Sequence, residues 1–100
     1  MSLAVVYSRA RHGLDAPLVT VEVHISNGLP AFQLVGLPET SVKESRDRVR
    51  SAMVNSGFAF PDRKITVNLA PADLPKDGGR FDLAIALGIL AASGQVPAHS

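Results

Sequence analysis

Three groups of side chains in this 100-residue sequence have types and spacings that could do chemistry. The first is Pro75-Lys76-Asp77-Gly78-Gly79-Arg80, a short loop placed just ahead of a strongly apolar segment. Free backbone N–H groups and the helix dipole would converge there on an anion, with two basic side chains beside them. Lys76, Gly78, Gly79 and Arg80 are therefore a candidate anion or partner contact. The plainer alternative is that the glycines only permit a tight loop and let a helix approach a sheet. No G-x-x-x-x-G-K-[ST] run occurs, so the loop is not a P-loop. The second group, Arg46, Arg48 and Arg50 with Lys43, Arg9 and Arg11, could form a basic surface for DNA phosphates. Glu44 and Asp47 interleave with it, and the competing reading is a solvated helix face. The third group is histidine. His12, His24 and His99 are far apart, and none is paired with a recognisable serine motif or a metal-ligand spacing. No catalytic residue and no metal ligand is assigned.

Ten Lys and Arg against nine Asp and Glu leave a formal charge of +1, so a case for DNA must rest on a local patch. The absence of Cys excludes a disulfide framework and zinc-finger spacings, and fits a reducing, cytoplasmic setting. The N-terminus lacks the basic-then-apolar order of a signal peptide. The longest near-apolar run, residues 83–92, is about half of the roughly 20 residues that span a bilayer, so no membrane partner is expected. With 46% hydrophobic residues, the length suits a single domain over residues 1–100.

The elements that must hold these groups follow from periodicity. Residues 3–8 are short and β-branched, and from residue 18 Val19, Val21, Val23 and Ile25 alternate with polar side chains, so both stretches predict strands. Asn27-Gly28 suits a type I′ turn, which predicts a hairpin into a third strand over 31–37, with Pro30 at its start. Ser41 and Glu44 have capping-box spacing, although Pro38 could equally open the same helix, and Gly57 supplies a left-handed stop. Val42, Ser45, Val49, Ala52, Met53 and Ser56 mark the stripe of that surface helix, with Lys43–Asp47 and Glu44–Arg48 as i,i+4 charge pairs elsewhere. Another alternating strand over 63–70 makes a βαβ-like passage, consistent with parallel strands and a right-handed crossover. The last helix, over 81–93, is apolar on almost all sides and must be covered on more than one face. That pattern predicts a fragment whose missing continuation, or a partner, supplies the remaining cover.

Four ordered segments carry a family resemblance: Phe32-Gln33-Leu34-Val35-Gly36-Leu37-Pro38, residues 42–50, residues 65–76, and Gly78-Gly79-Arg80-Phe81-Asp82-Leu83. Together they resemble the N-terminal domain of the ComM/YifB family of magnesium-chelatase-like AAA+ ATPases, over nearly the whole chain. The resemblance implies a Lon-protease-like, ribosomal protein S5 domain 2-like fold. The expected class is α/β (α+β), with the elements read above in the order β-β-β-α-β-α, and a chain expected to be truncated at the C-terminus. In Lon-type sequences the loop reads Pro-Lys-Asp-Gly-Pro-Ser-Ala-Gly, with its Ser as nucleophile of a Ser/Lys dyad. Pro75, Lys76, Asp77 and Gly78 match, but Arg80 stands where the Ser would be, and an always-protonated guanidinium cannot attack a carbonyl.

The resemblance further implies a homo-hexameric, ATP-dependent parent acting in DNA branch migration during natural transformation. Its ATP and Mg2+ would bind in a downstream AAA+ module absent from these residues, so neither cofactor is expected here. The chain is then expected to be a non-catalytic accessory domain, partnered by that module and used for assembly or for contacting DNA or a protein partner. One alternative is a Lon-like peptide-binding or peptide-processing domain without its serine. Another is direct magnesium-chelatase work, for which the sequence offers neither a porphyrin pocket nor a carboxylate cluster.

Overall fold

A computed structural model describes residues 2–9, 18–70 and 81–95 of the chain. Its elements run β1 (Ser2–Arg9), β2 (Leu18–Ser26), β3 (Ala31–Val35), α1 (Glu39–Asn55), β4 (Lys64–Ala70) and α2 (Asp82–Ala92), the expected β-β-β-α-β-α order. The strands form one mixed sheet in the order β1-β2-β4-β3. β2 is antiparallel to both β1 and β4, whereas β3 is parallel to β4.

Alternation decides which face of this sheet is covered. Val19, Val21, Val23 and Ile25 of β2 and Ile65, Val67 and Leu69 of β4 are all buried, with Val23 opposite Val67 and Ile25 opposite Ile65. Ala4 opposite Val23 and Leu34 opposite Val67 carry the same buried row to both edges. Burying each Val or Ile side chain contributes roughly 1.5–3 kcal/mol, so this row is what fixes the elements that hold the polar groups. α2 packs over β1 and β2, and α1 packs against α2 and β3. The opposite face presents Gln33, Glu22, Thr66 and Asn68, and no element among the described residues covers it.

The expected β2–β3 hairpin does not form. A type I′ turn needs positive φ at both central residues. Gly28 has φ 144°, but no described residue other than glycine has positive φ, so Asn27 does not take its share. The chain leaves the sheet at this point, and β4 occupies the place between β2 and β3. The β3–α1–β4 passage instead makes β3 and β4 adjacent parallel neighbours.

Pro38, with φ −57°, is the N-cap of α1, and the Ser41 N–H donates to its carbonyl at 2.8 Å. Ser41 is thus already within the first turn, the Ser41–Glu44 capping box is not made, and no side chain caps this end. The stop at Gly57 is as expected. With φ 86° there, the N–H groups of Gly57 and Phe58 donate to the carbonyls of Val54 and Met53. Ser45, Val49 and Met53 form the buried stripe, whereas Ala52 and Ser56 are exposed.

α2 buries Ala84, Ile85, Ala86, Gly88, Ile89, Leu90 and Ala92. The sheet lies on one side of it and α1 on another, so these elements satisfy most of its apolarity. What remains is a narrow stripe of Leu83 and Leu87, one turn apart and 72% and 42% exposed.

Candidate functional site

At about 100° per residue, Arg46 and Arg50 share one face of α1, and Arg48 leaves it. Arg48 turns to α2, where its Nε donates to Asp82 Oδ2 at 2.6 Å and its Nη1 lies 3.6 Å from Glu44 Oε2. The other oxygen of Asp82 accepts the Ser45 hydroxyl at 3.0 Å. Ser45 is fully buried, and this hydrogen bond meets the cost of taking its hydroxyl out of water. Asp82 is also the first residue of α2, where a negative charge suits the helix dipole. One carboxylate therefore ties α1 to the start of α2. Its hydrogen bond is the main reason that Arg48 is held above the ordinary arginine range. Of the two expected i,i+4 pairs, Glu44–Arg48 is made. Asp47 instead pairs with its neighbour Arg46, accepting from Nε at 3.3 Å and Nη2 at 3.2 Å.

Arg46 and Arg50 look onto the start of β3 and the segment that leads into β4. With Arg63, Asp62, Phe32 and Phe60 they line an open cavity of about 550 Å³. The Phe32 and Phe60 ring centroids are 6.4 Å apart and inclined at 33°, and the Arg50 guanidinium carbon stands 6.0 Å from the Phe60 centroid. Both rings are half-buried and packed against the core, which holds them in place. Gln95, just past α2, holds the residue before Phe60: its amide donates to the Ala59 carbonyl at 2.8 Å and accepts the Ala59 N–H at 2.9 Å. The Ala31 N–H donates to the Arg63 carbonyl at 3.3 Å, which sets Arg63 beside the start of β3. Three guanidiniums and one carboxylate around two aromatic rings make a site that can hold a planar, anionic ligand. The cavity lining has no Ser, Cys, His or Lys, and Asp62 is its one carboxylate.

Of the other sequence candidates, Lys76, Gly78, Gly79 and Arg80 lie outside the described residues, as do Arg11, His12 and His99. His24 sits on β2 opposite Leu3 and Thr66. Among the described residues no group of three or more His, Asp or Glu is placed to hold a metal ion, and no helix is long and apolar enough to cross a membrane. Two further hollows are larger but less basic. One of about 730 Å³ runs along β3 and α1 past Lys43 and Arg46, and one of about 630 Å³ lies near Leu3, Ala91 and Gln95. Phe32, Phe60 and Arg63 are not singled out by the sequence. The available signal was the aromatic and basic run Phe58-Ala59-Phe60-Pro61-Asp62-Arg63, whose partner Phe32 is set only by the β3–β4 pairing.

A mixed sheet with both helices on one face, carrying an arginine-lined cleft, is the setting in which the similarities to known proteins fall. The chain belongs to the family described as subunit ChlI of Mg-chelatase, which matches residues 21–100, and within it to the ComM/YifB group. It is 70% identical over 98 residues to the competence protein ComM of Haemophilus influenzae, covering 98% of this chain and 19% of that protein. To YifB of Salmonella typhimurium it is 67% identical over 100 residues, covering all of this chain and 20% of the relative. A Mycobacterium tuberculosis relative is 44% identical over 97 residues, covering 97% of this chain and 19% of that protein. The chain thus spans about a fifth of the length of the curated relatives it matches.

Proposed function

We propose that this chain is a non-catalytic, N-terminal accessory region of an ATP-dependent, DNA-processing motor of ComM/YifB type, cytoplasmic and hexameric, and that the arginine-bearing side of α1 contacts DNA. The convergence of Arg46, Arg50 and Arg63 on one cavity carries the DNA part of this reading, because it makes a local positive patch on a chain of nearly balanced charge. The chain has no G-x-x-x-x-G-K-[ST] segment to cradle a triphosphate. ATP and Mg2+ are therefore assigned to the motor module of the parent, and no step is routed through them here. The accessory role is supported by a match that runs along the whole chain yet covers a fifth of each relative.

The test is DNA affinity as a function of salt for the parent and for an Arg46→Ala/Arg50→Ala variant. Every phosphate that the variant no longer neutralises should flatten the salt dependence by roughly 0.7 to 0.9 in log–log slope. An unchanged slope would sink the DNA reading, and ATP turnover by this chain would sink the non-catalytic one. Arg48, the third arginine of the run, is a poor probe because removing it also opens the α1–α2 junction.

A second reading, a Lon-like peptide-binding domain, draws on a different observation. β3 is an edge strand, and the hollow along it runs between its open side and α1. An extended peptide could add to such an edge through main-chain hydrogen bonds. Peptide-array binding that survives loss of Arg50 and Arg63 but not a proline in β3 would favour it.

A further inference from the structure

We infer that the cavity between α1 and the start of β3 is a contact site for one nucleotide, its base and its phosphate together, of an unpaired DNA strand. The inference rests on the DNA reading above and narrows it to one ligand class and one set of residues.

Two kinds of group meet in the cavity, and only one of them suits duplex DNA. Arg46 and Arg50, one turn apart on α1, and Arg63 from the opposite chain segment supply forked donors for phosphate. A helix face bearing arginines alone would serve a duplex equally well. Phe32 and Phe60 add apolar rings beside those donors, and a duplex keeps the faces of its bases stacked and out of reach. An unpaired strand offers a base and a phosphate within a few ångströms of one another, matching the way the rings and guanidiniums are mixed here. Asp62 points to the same ligand. Its carboxylate repels a second phosphate but can accept from a base amino group, so the lining suits a base with one phosphate better than a bare polyanion. The volume, about 550 Å³, lies within the range of small-ligand sites. A free mononucleotide has the same chemistry and is the other source to be distinguished.

The experiment is fluorescence anisotropy of the protein with a short labelled single strand, a duplex of the same sequence, and labelled AMP, with circular dichroism as the folding check. The single strand is expected to bind more tightly than the duplex. Phe60→Leu, which keeps apolar volume, should weaken single-strand binding roughly 5- to 100-fold, and Phe60→Tyr, which keeps the ring, should restore it. Arg63→Ala should weaken single-strand binding and reduce its salt slope by roughly 0.7. Lys43→Ala removes a charge from the same helix but outside the cavity, and should have a smaller effect. Displacement of the strand by AMP at comparable concentration supports the site and names the free nucleotide as its source. Equal losses for Lys43→Ala and Arg63→Ala, or a duplex bound as tightly as the single strand, overturn the cavity while leaving the DNA reading intact. Failure to bind any of the three ligands removes both.

Discussion

On the side of α1 that meets α2, Arg48, Ser45 and Asp82 form a closed junction in which a buried hydroxyl and a guanidinium share the two oxygens of one carboxylate. On its other side, Arg46 and Arg50 face a cleft with Arg63 and two phenylalanine rings. The arginines on the two sides are two residues apart on the same helix, and their chemistry is identical. What separates them is what the topology sets opposite. The start of α2 supplies Arg48 with a carboxylate. The parallel pairing of β3 with β4 sets Phe32 opposite Ile65, near the Phe60 segment, and supplies no equivalent counter-charge beyond Asp62. An arginine answered from within the fold is committed to holding it, and one left facing a cleft is available to a ligand.

The severest disturbance strikes the frame that both regions share. Gly36 leaves β3 with φ 108°, and a Cβ there would run into the Leu69 carbonyl oxygen of β4 and stand 2.9 Å from the Leu69 Cβ. Gly36→Ala therefore meets both an unfavourable φ and a backbone clash, and should cost about 2–4 kcal/mol. Urea denaturation measures it. An unshifted midpoint would mean that β3 and β4 do not approach so closely at this point, and the junction and the cleft would both need redrawing.

Next in size is the junction itself. Asp82→Ala leaves the Ser45 hydroxyl buried without a partner, for an expected loss of about 1–3 kcal/mol. Ser45→Ala in that background should recover most of the loss, because removing both partners removes the unsatisfied group. If the double variant is no more stable than Asp82→Ala alone, the Ser45–Asp82 bond is not the source of the effect. Nucleic-acid affinity should be equal in Asp82→Ala and the double variant, since they differ only at Ser45, which lies outside the cleft.

The element order was legible because burial is periodic. Val19, Val21, Val23 and Ile25, and again Ile65, Val67 and Leu69, alternate as half-buried strands must, and α1 shows its narrow stripe. Strand order was not legible, because Asn27-Gly28 looks the same whether the chain folds back or departs, and only φ at Asn27 distinguishes the two. The site suffered from the same gap. Arg46, Arg48 and Arg50 were visible as a run, but Asp82 lies 34 residues from Arg48, and that contact removes Arg48 from the patch. Arg63, Phe32 and Phe60 join the patch only through the pairing of β3 with β4. Local charge pairing was half legible: Glu44 reaches Arg48 across one turn, while Asp47 takes its neighbour Arg46 in place of Lys43.

In the cleft, stability and binding should come apart. Arg50→Ala removes a guanidinium that stands over Phe60 at the surface and has no ion-pair partner among the described residues. The cost in stability should be below about 0.5 kcal/mol, whereas single-strand affinity should fall roughly three- to tenfold. Equilibrium denaturation and anisotropy on the same sample read the two effects side by side. A large stability loss with unchanged affinity would move Arg50 into the structural class of Arg48.

The gentlest change sets the boundary between the two kinds of arginine. Arg46 lines the cleft but is also held by Asp47 through contacts of 3.2 and 3.3 Å, with both side chains substantially exposed. An exposed pair of this kind is weak and screened by salt, so Asp47 competes with a phosphate without excluding it. Asp47→Asn should leave stability unchanged and raise single-strand affinity by about twofold, with the gain fading as salt is added. The same substitution made on Arg50→Ala should give a similar gain, because Asp47 acts through Arg46 alone. A gain that vanishes with Arg50 would mean that the two guanidiniums grip one phosphate together, and a gain in duplex binding of equal size would mean only that the helix face had become more positive.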